Sequence, residues 1–209
     1  YKGGFMKYID LSYDIEDKMS VHPYDSQVNV IQDKFFNDDK YNNYKLEMGT
    51  HVGTHIDSPM HMSEDKNFIG DYKLDKFCGT AKVFDVRGIN NIFPDDFNID
   101  SIEEDDIVLF YTGFEEKYGT EDYYLKHPTL DIGVGKILIE KGIKLVGMDM
   151  PSPDKYPFEV HRLLFSKGIF IVENLRNLKL LIGCKNPEVF MFPLKIKADA
   201  SFIRGVAKI

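Results

Sequence analysis

Short apolar runs separated by polar turn clusters dominate the chain, and they predict more strands than helices. Residues 7–11 alternate with a two-residue period, and residues 45–57 read as extended. Residues 81–86 and 107–111 are β-branched and aromatic runs bounded by turn formers, which predicts two further strands. From Asp131 the period changes. Val134, Ile137, Leu138 and Lys141 follow helical spacing, with Asp131 placed to cap that helix and Gly142 to stop it. Residues 143–148 read as a buried strand, 158–167 as a shorter helix ended by Gly168, and 169–172 as the next strand. Residues 189–196 and 202–209 close the chain as strands. The two helices are not regularly interleaved with the strands, so the pattern predicts an α/β or α+β fold built on a mixed sheet.

No repeat, low-complexity tract or linker interrupts this pattern, and the 209 residues are expected to form one domain, 1–209. Hydrophobic residues at 43% and charged residues at 29% support a folded core. The net charge of −8 is dispersed, without the clustered positive face that nucleic-acid binding requires. No apolar run approaches the ~18–20 residues of a membrane span. Residues 1–6 carry no apolar signal core, and two distant cysteines, Cys78 and Cys184, suit a reducing compartment. A soluble cytoplasmic protein without nucleic-acid or membrane partners is the expectation.

The chemistry concentrates in His51-Val52-Gly53-Thr54-His55-Ile56-Asp57-Ser58-Pro59-Met60-His61, which holds three of the six histidines. A helix would put Asp57 about 200° around the axis from His55, at ~100° per residue. The β-branched Val52, Thr54 and Ile56, with Gly53 and Pro59, argue against a helix. Read as extended, His51, Gly53, His55 and Asp57 share one face, and Val52, Thr54, Ile56 and Ser58 the other. Past Pro59 the chain should turn, so His61 stands apart from that face. Imidazole and carboxylate ligands suit Zn²⁺, Mn²⁺ or Fe²⁺. One such histidine is more often a structural residue; three with an interposed aspartate favour a metal site.

These residues resemble the cyclase-like metal-dependent hydrolase family of bacterial kynurenine formamidases and isatin hydrolases. The motif His-x-Gly-Thr-His-x-Asp-x-Pro-x-His is matched at every fixed position. The resemblance continues through Tyr111-Thr112-Gly113, Gly147-Met148-Asp149-Met150-Pro151-Ser152-Pro153-Asp154, Val160-His161-Arg162-Leu163-Leu164, Ile171-Val172-Glu173-Asn174-Leu175 and Pro193-Leu194-Lys195-Ile196. It implies a single swivelling β/β/α domain, assembled as a homodimer or homotetramer. It also implies that His51, His55 and Asp57 ligate one metal, that Asp57 and Glu173 are shared with a second, and that His161 ligates the second. His61 matches the catalytic acid/base. The implied cofactor is zinc, one or two ions, with manganese in some relatives.

The implied activity is hydrolysis of a C–N bond in a small amide or cyclic amide by a metal-activated water. A non-catalytic metal or small-carboxylate binder and a lactone-forming or dehydrating cyclase are the alternatives on the same scaffold. Where kynurenine formamidases place a substrate-contacting Trp, this chain has His22, the candidate substrate contact, and it contains no Trp. Asp149, Asp154 and Glu159 are candidates to approach the metals but are read as structural hydrogen-bonding or solvated groups, Cys78 and Cys184 as inert thiols, and Gly133-Val134-Gly135-Lys136 as a helix start.

Overall fold

The computed structural model describes residues 7–209; residues 1–6, read above for a signal core, lie outside the described residues. The first half holds β1 (Tyr8–Asp10), β2 (Asn29–Lys34), the one-turn helix α1 (Phe36–Asp39), β3 (Asn43–Glu47), β4 (His55–Asp57) and β5 (Cys78–Asp85). Then come β6 (Asn91–Ile92), β7 (Ile107–Tyr111), α2 (Glu121–Leu125) and β8 (Thr129–Leu130). The α3 helix (Ile132–Glu140), β9 (Leu145–Met148), α4 (Glu159–Phe165) and β10 (Phe170–Glu173) follow. The chain closes with β11 (Glu188–Phe190), β12 (Ala200–Phe202) and β13 (Val206–Lys208).

Nine strands form one mixed sheet in the order β1-β13-β11-β5-β7-β9-β10-β4-β12. The central β5, β7, β9 and β10 are parallel, and the flanking pairs are antiparallel. Parallel neighbours require crossovers. The expectation of irregular helix placement is therefore corrected: α3 and α4 are successive crossovers, joining β7 to β9 and β9 to β10. Their ends are where the turn chemistry puts them. Asp131 Oδ1 accepts from the Gly133 N–H at 2.7 Å, and Gly142 and Gly168 leave the helices at φ +70° and +73°.

β12 and β13 lie at or near opposite ends of the sheet order, yet only residues 203–205 connect them. From Phe202 to Val206 the chain has four Cα steps and reaches no more than roughly 15 Å. The sheet must therefore curl until its two ends nearly meet. Inside the curl pack Leu11, Ile56, Leu109, Tyr111, Val172 and Val189. The other face is covered by Val134, Leu138, Val160 and Leu164 of the two helices, over Val108, Phe110, Val146 and Ile171. All five residues of β7 are buried because alternate side chains serve alternate cores.

Several expected strands are shorter. Residues 45–57 are not continuously extended: β3 ends at Glu47, and residues 51–54 form a turn in which Gly53 adopts φ +67°. Of residues 189–196 only the first two are strand, within β11 (Glu188–Phe190), and Pro193 beyond it has no N–H for a ladder. Residues 202–209 break at Gly205, where a Cβ would lie 2.8 Å from Met191 Sδ. The β2–β3 hairpin and α2 were not expected; the hairpin carries no buried side chain to generate an alternation.

Candidate metal centre

Strand register explains why the motif and the distant Glu173 meet. β10 pairs antiparallel with β4, placing Glu173 opposite His55 and Ile171 opposite Asp57. Side chains directly opposite in such a pair point to the same face. Ile171 packs under the helices, so His55, Asp57 and Glu173 all face that side, where α4 carries His161. The 51–54 turn brings in His51, and the one-turn 3₁₀ segment Pro59–His61 brings in His61.

His51 Nδ1 lies 2.9 Å from Asp57 Oδ1. His55 Nε2 is 3.4 Å from Asp57 Oδ1 and 3.3 Å from Glu173 Oε2, and His161 Nε2 is 3.3 Å from Glu173 Oε1. Two overlapping groups have their ligand atoms within 4.8 Å of one another: His51, Asp57 and His61, and His55, Asp57 and Glu173. Asp57 belongs to both.

Backbone and side-chain bonds aim these groups. His55 bonds through Nδ1 to the Gly53 carbonyl at 2.9 Å, which turns Nε2 toward the carboxylates. Asn174 holds the same turn, donating from Nδ2 to Gly53 O at 2.9 Å and accepting at its backbone O from Thr54 Oγ1 at 2.6 Å. Tyr123 Oη donates to Asn174 Oδ1 at 2.8 Å. Asp154 accepts from the Val160 N–H at 2.6 Å and contacts His161 Nδ1 at 2.5 Å, so one carboxylate starts α4 and orients its histidine. Asp149 pins the neighbouring loop through the Thr112 N–H, Thr112 Oγ1 and the Gly113 N–H at 2.7–2.8 Å. Burial, only partly offset by these bonds, pushes its pKa up to about 6.

The electrostatics match a cation site. Burial works against the His51 imidazolium, but the Asp57 charge and the Asp199 hydrogen bond prevail and raise its pKa to about 11. For His161 burial is likewise outweighed, by Asp154 and Glu173, giving about 10. His55 is raised by Asp57 and Glu173 against its own burial. Asp57 and Glu173 are themselves held below the usual carboxylate range by these imidazoles, against the opposing effect of their burial. The carboxylates thus require positive charge, and a divalent ion supplies it in exchange for protons on the histidines. His55 Nε2, Asp57 Oδ1 and Glu173 Oε1 are buried without hydrogen-bond partners. An orphaned buried polar atom is costly. Three such atoms converging from an imidazole and two carboxylates fit a transition-metal ion.

The cluster forms the floor of a cleft of about 570 Å³. His22, Met62, Tyr124, His127, Lys155 and Phe158 line its walls.

The sequence model of a family described as a putative cyclase matches residues 9–155. The chain belongs to this cyclase family. A kynurenine formamidase of Bacillus cereus is 32% identical over 168 residues, 78% of each chain. A predicted metal-dependent hydrolase from Bacillus stearothermophilus superposes with a TM-score of 0.79 at 27% identity, covering 98% of this chain and 99% of that one. Isatin hydrolase A from Labrenzia aggregata shares the fold, with a TM-score of 0.86 at 20% identity, over 98% of this chain and 94% of its own.

Within this cyclase-family cleft His51, Asp57, His61, His161 and Glu173 converge, and His55 is buried against Asp57 and Glu173. His22 stands in the wall, its ring edge-on to Tyr124 with centroids 5.7 Å apart. The shared-face reading holds for His55 and Asp57, which lie on β4, but His51 arrives through the turn. Asp199 was not anticipated. Its Oδ2 lies 2.9 Å from both His51 Nε2 and His61 Nδ1. Residues 197–201 fall between two expected strands, and nothing local marks the aspartate. Asp154 takes the structural hydrogen-bonding role read for it, on His161, whereas Asn174, next to Glu173, carried no assigned role in the sequence.

Proposed function

We propose that the cleft hydrolyses a C–N bond of a small aromatic amide or cyclic amide, with the His51/His55/Asp57/His161/Glu173 cluster holding one or two zinc ions, manganese being the alternative. The protein is a metal-dependent hydrolase acting on non-peptide C–N bonds, in line with relatives named kynurenine formamidase and metal-dependent hydrolase. The observation that carries the reading is the trio of buried, unbonded ligand atoms on His55, Asp57 and Glu173.

A bound dication supplies polarisation of the carbonyl and acidifies the attacking water. The remaining work belongs to the chain. Asp57 and Glu173 balance charge, and the aromatic walls orient a flat substrate and exclude bulk water. His61, at the cleft side of the cluster, takes a proton at Nε2 from the attacking water and passes it to the departing nitrogen, because an amide nitrogen leaves poorly as an anion. His22 contacts the substrate ring. A cytoplasmic location accords with the free thiols of Cys78 and Cys184, and among the described residues no helix is long and apolar enough to cross a membrane.

A screen of formyl-anilides, isatins, cyclic imides and N-formylkynurenine on zinc-loaded protein tests this reading. Hydrolysis of at least one member is expected; inertness toward all of them would remove it. With His22 and Tyr124 in the wall and no tryptophan in the chain, N-formylkynurenine is expected to lag the best substrate by roughly tenfold or more in kcat/KM. Comparable turnover would show that His22 replaces the aromatic contact fully.

The protein acts as a homo-oligomer. Phe35, Phe36, Tyr41, Tyr44 and Leu46 all lie exposed on or beside the β2–β3 hairpin, Phe36 at 62%, with Tyr44 and Leu46 on one face of it. An isolated two-stranded hairpin is marginal in water, and a second copy would cover this apolar face. Light scattering should return at least twice the chain mass, falling to the monomer in a Phe36→Asp/Leu46→Asp variant. A monomeric parent protein would contradict it.

A further inference from the structure

Asp199 lies 148 residues from His51 and 138 from His61, yet one of its oxygens touches both rings. The two imidazoles are nearly in contact, with centroids 4.1 Å apart and planes tilted by 39°. The carboxylate is not a wandering surface group. Its backbone carbonyl accepts from both the Ser58 N–H at 2.9 Å and Ser58 Oγ at 2.7 Å. β12 begins at the next residue, with Ala200 in register with Asp57. The segment after β4 and the segment before β12 are therefore tied together beside the metal cluster.

An ionised carboxylate only accepts hydrogen bonds. At 2.9 Å from Asp199 Oδ2, His61 Nδ1 must carry a hydrogen, and the lone pair of a neutral ring is then on Nε2. His51 has a carboxylate at each nitrogen, Asp199 at Nε2 and Asp57 at Nδ1, both at 2.9 Å; with Nε2–H held by Asp199, Nδ1 is the nitrogen whose proton an ion beside Asp57 would displace. The hydrogen bond at one imidazole nitrogen decides what the other can do.

We infer that Asp199 is a positioning residue that fixes two tautomers at once, presenting His51 Nδ1 as metal ligand and His61 Nε2 as the proton-transfer atom. This rests on the hydrolase reading above for the role of His61, but the tautomers themselves can be read without turnover. In this arrangement Asp199 does not touch substrate. It works through the two histidines, and it links the ligand set to the acid/base so that neither ring can rotate independently. One oxygen serving two N–H donors also means that an asparagine side chain, with its amide oxygen in the same place, can keep both bonds.

The test compares wild type, Asp199→Asn and Asp199→Ala as zinc-loaded protein, with zinc affinity measured by competition against a chelating dye. Histidine tautomers are read from long-range ¹H–¹⁵N correlations, with His61 assigned through His61→Gln. In wild type His61 should show the Nδ1–H signature. Asp199→Ala should lose it, bind zinc about 10–100-fold more weakly, and lose kcat by a similar factor with KM little changed. Asp199→Asn should keep the signature and recover most of kcat. An unchanged His61 tautomer in Asp199→Ala, or a wild type already in the Nε2–H form, would overturn the inference even if hydrolysis proceeds. Wild-type protein with the Nδ1–H signature but no turnover of any amide would leave Asp199 in place and defeat the hydrolase reading instead.

Discussion

Replacing His55 with alanine is expected to remove metal and turnover together, because its Nε2 is one of the three buried atoms that no protein group satisfies. Its Nδ1 is committed to Gly53 O, so the ring has no second orientation from which to serve. Chelation of the unmodified protein should have the matching thermodynamic effect. An ion held by the native state alone and present at 100 times its dissociation constant stabilises by about 2.7 kcal/mol. For a chain of this size that corresponds to a fall in Tm of roughly 5–11 °C when the ion is stripped. Elemental analysis and thermal melts of the two proteins check both statements. A His55→Ala protein with full metal content would remove His55 from the ligand set.

Replacing His61 with alanine should separate proton transfer from metal binding. His61 sits on the 3₁₀ turn past Pro59, bonded to Asp199, with a quarter of its side chain open to the cleft. Its ligand atom also lies within 4.8 Å of those of His51 and Asp57, so metal content is the readout that separates the two roles. As the acid that protonates the leaving nitrogen, its loss should slow kcat by about 10²–10⁴-fold with metal content nearly intact. Loss of metal as complete as in His55→Ala would instead make His61 a ligand and empty the proton-transfer role. Measuring metal stoichiometry and kcat on the same preparations decides between these.

Much of the site was legible because its chemistry is packed into eleven consecutive positions. The histidines and Asp57 announce a cation, and β-branched neighbours exclude a helix. The two-residue face argument worked where a strand exists, at His55 and Asp57, and failed at His51, where Gly53 at φ +67° turns the chain. His161 and Glu173 came from the resemblance, and the β10–β4 register supplies the physical reason they meet the motif. Asp199 was illegible because its partners are reached only through the β12–β4 pairing and the Ser58 bonds. The helices α3 and α4 were found from spacing, capping and glycine stops, but their role as successive crossovers was not, since parallel pairing is a long-range property. The curl of the sheet is of the same kind: only the short link from β12 to β13 reveals it.

If this cleft cleaves an amide with a metal held by the His51–Glu173 cluster, turnover must follow the metal. The most direct test is the turnover of one amide from the screen by a single preparation of the protein, as purified, after exhaustive chelation, and after zinc is restored, with bound metal quantified at each stage. Turnover is expected to disappear with the metal and to return with it. Undiminished turnover by protein shown to be metal-free would contradict it.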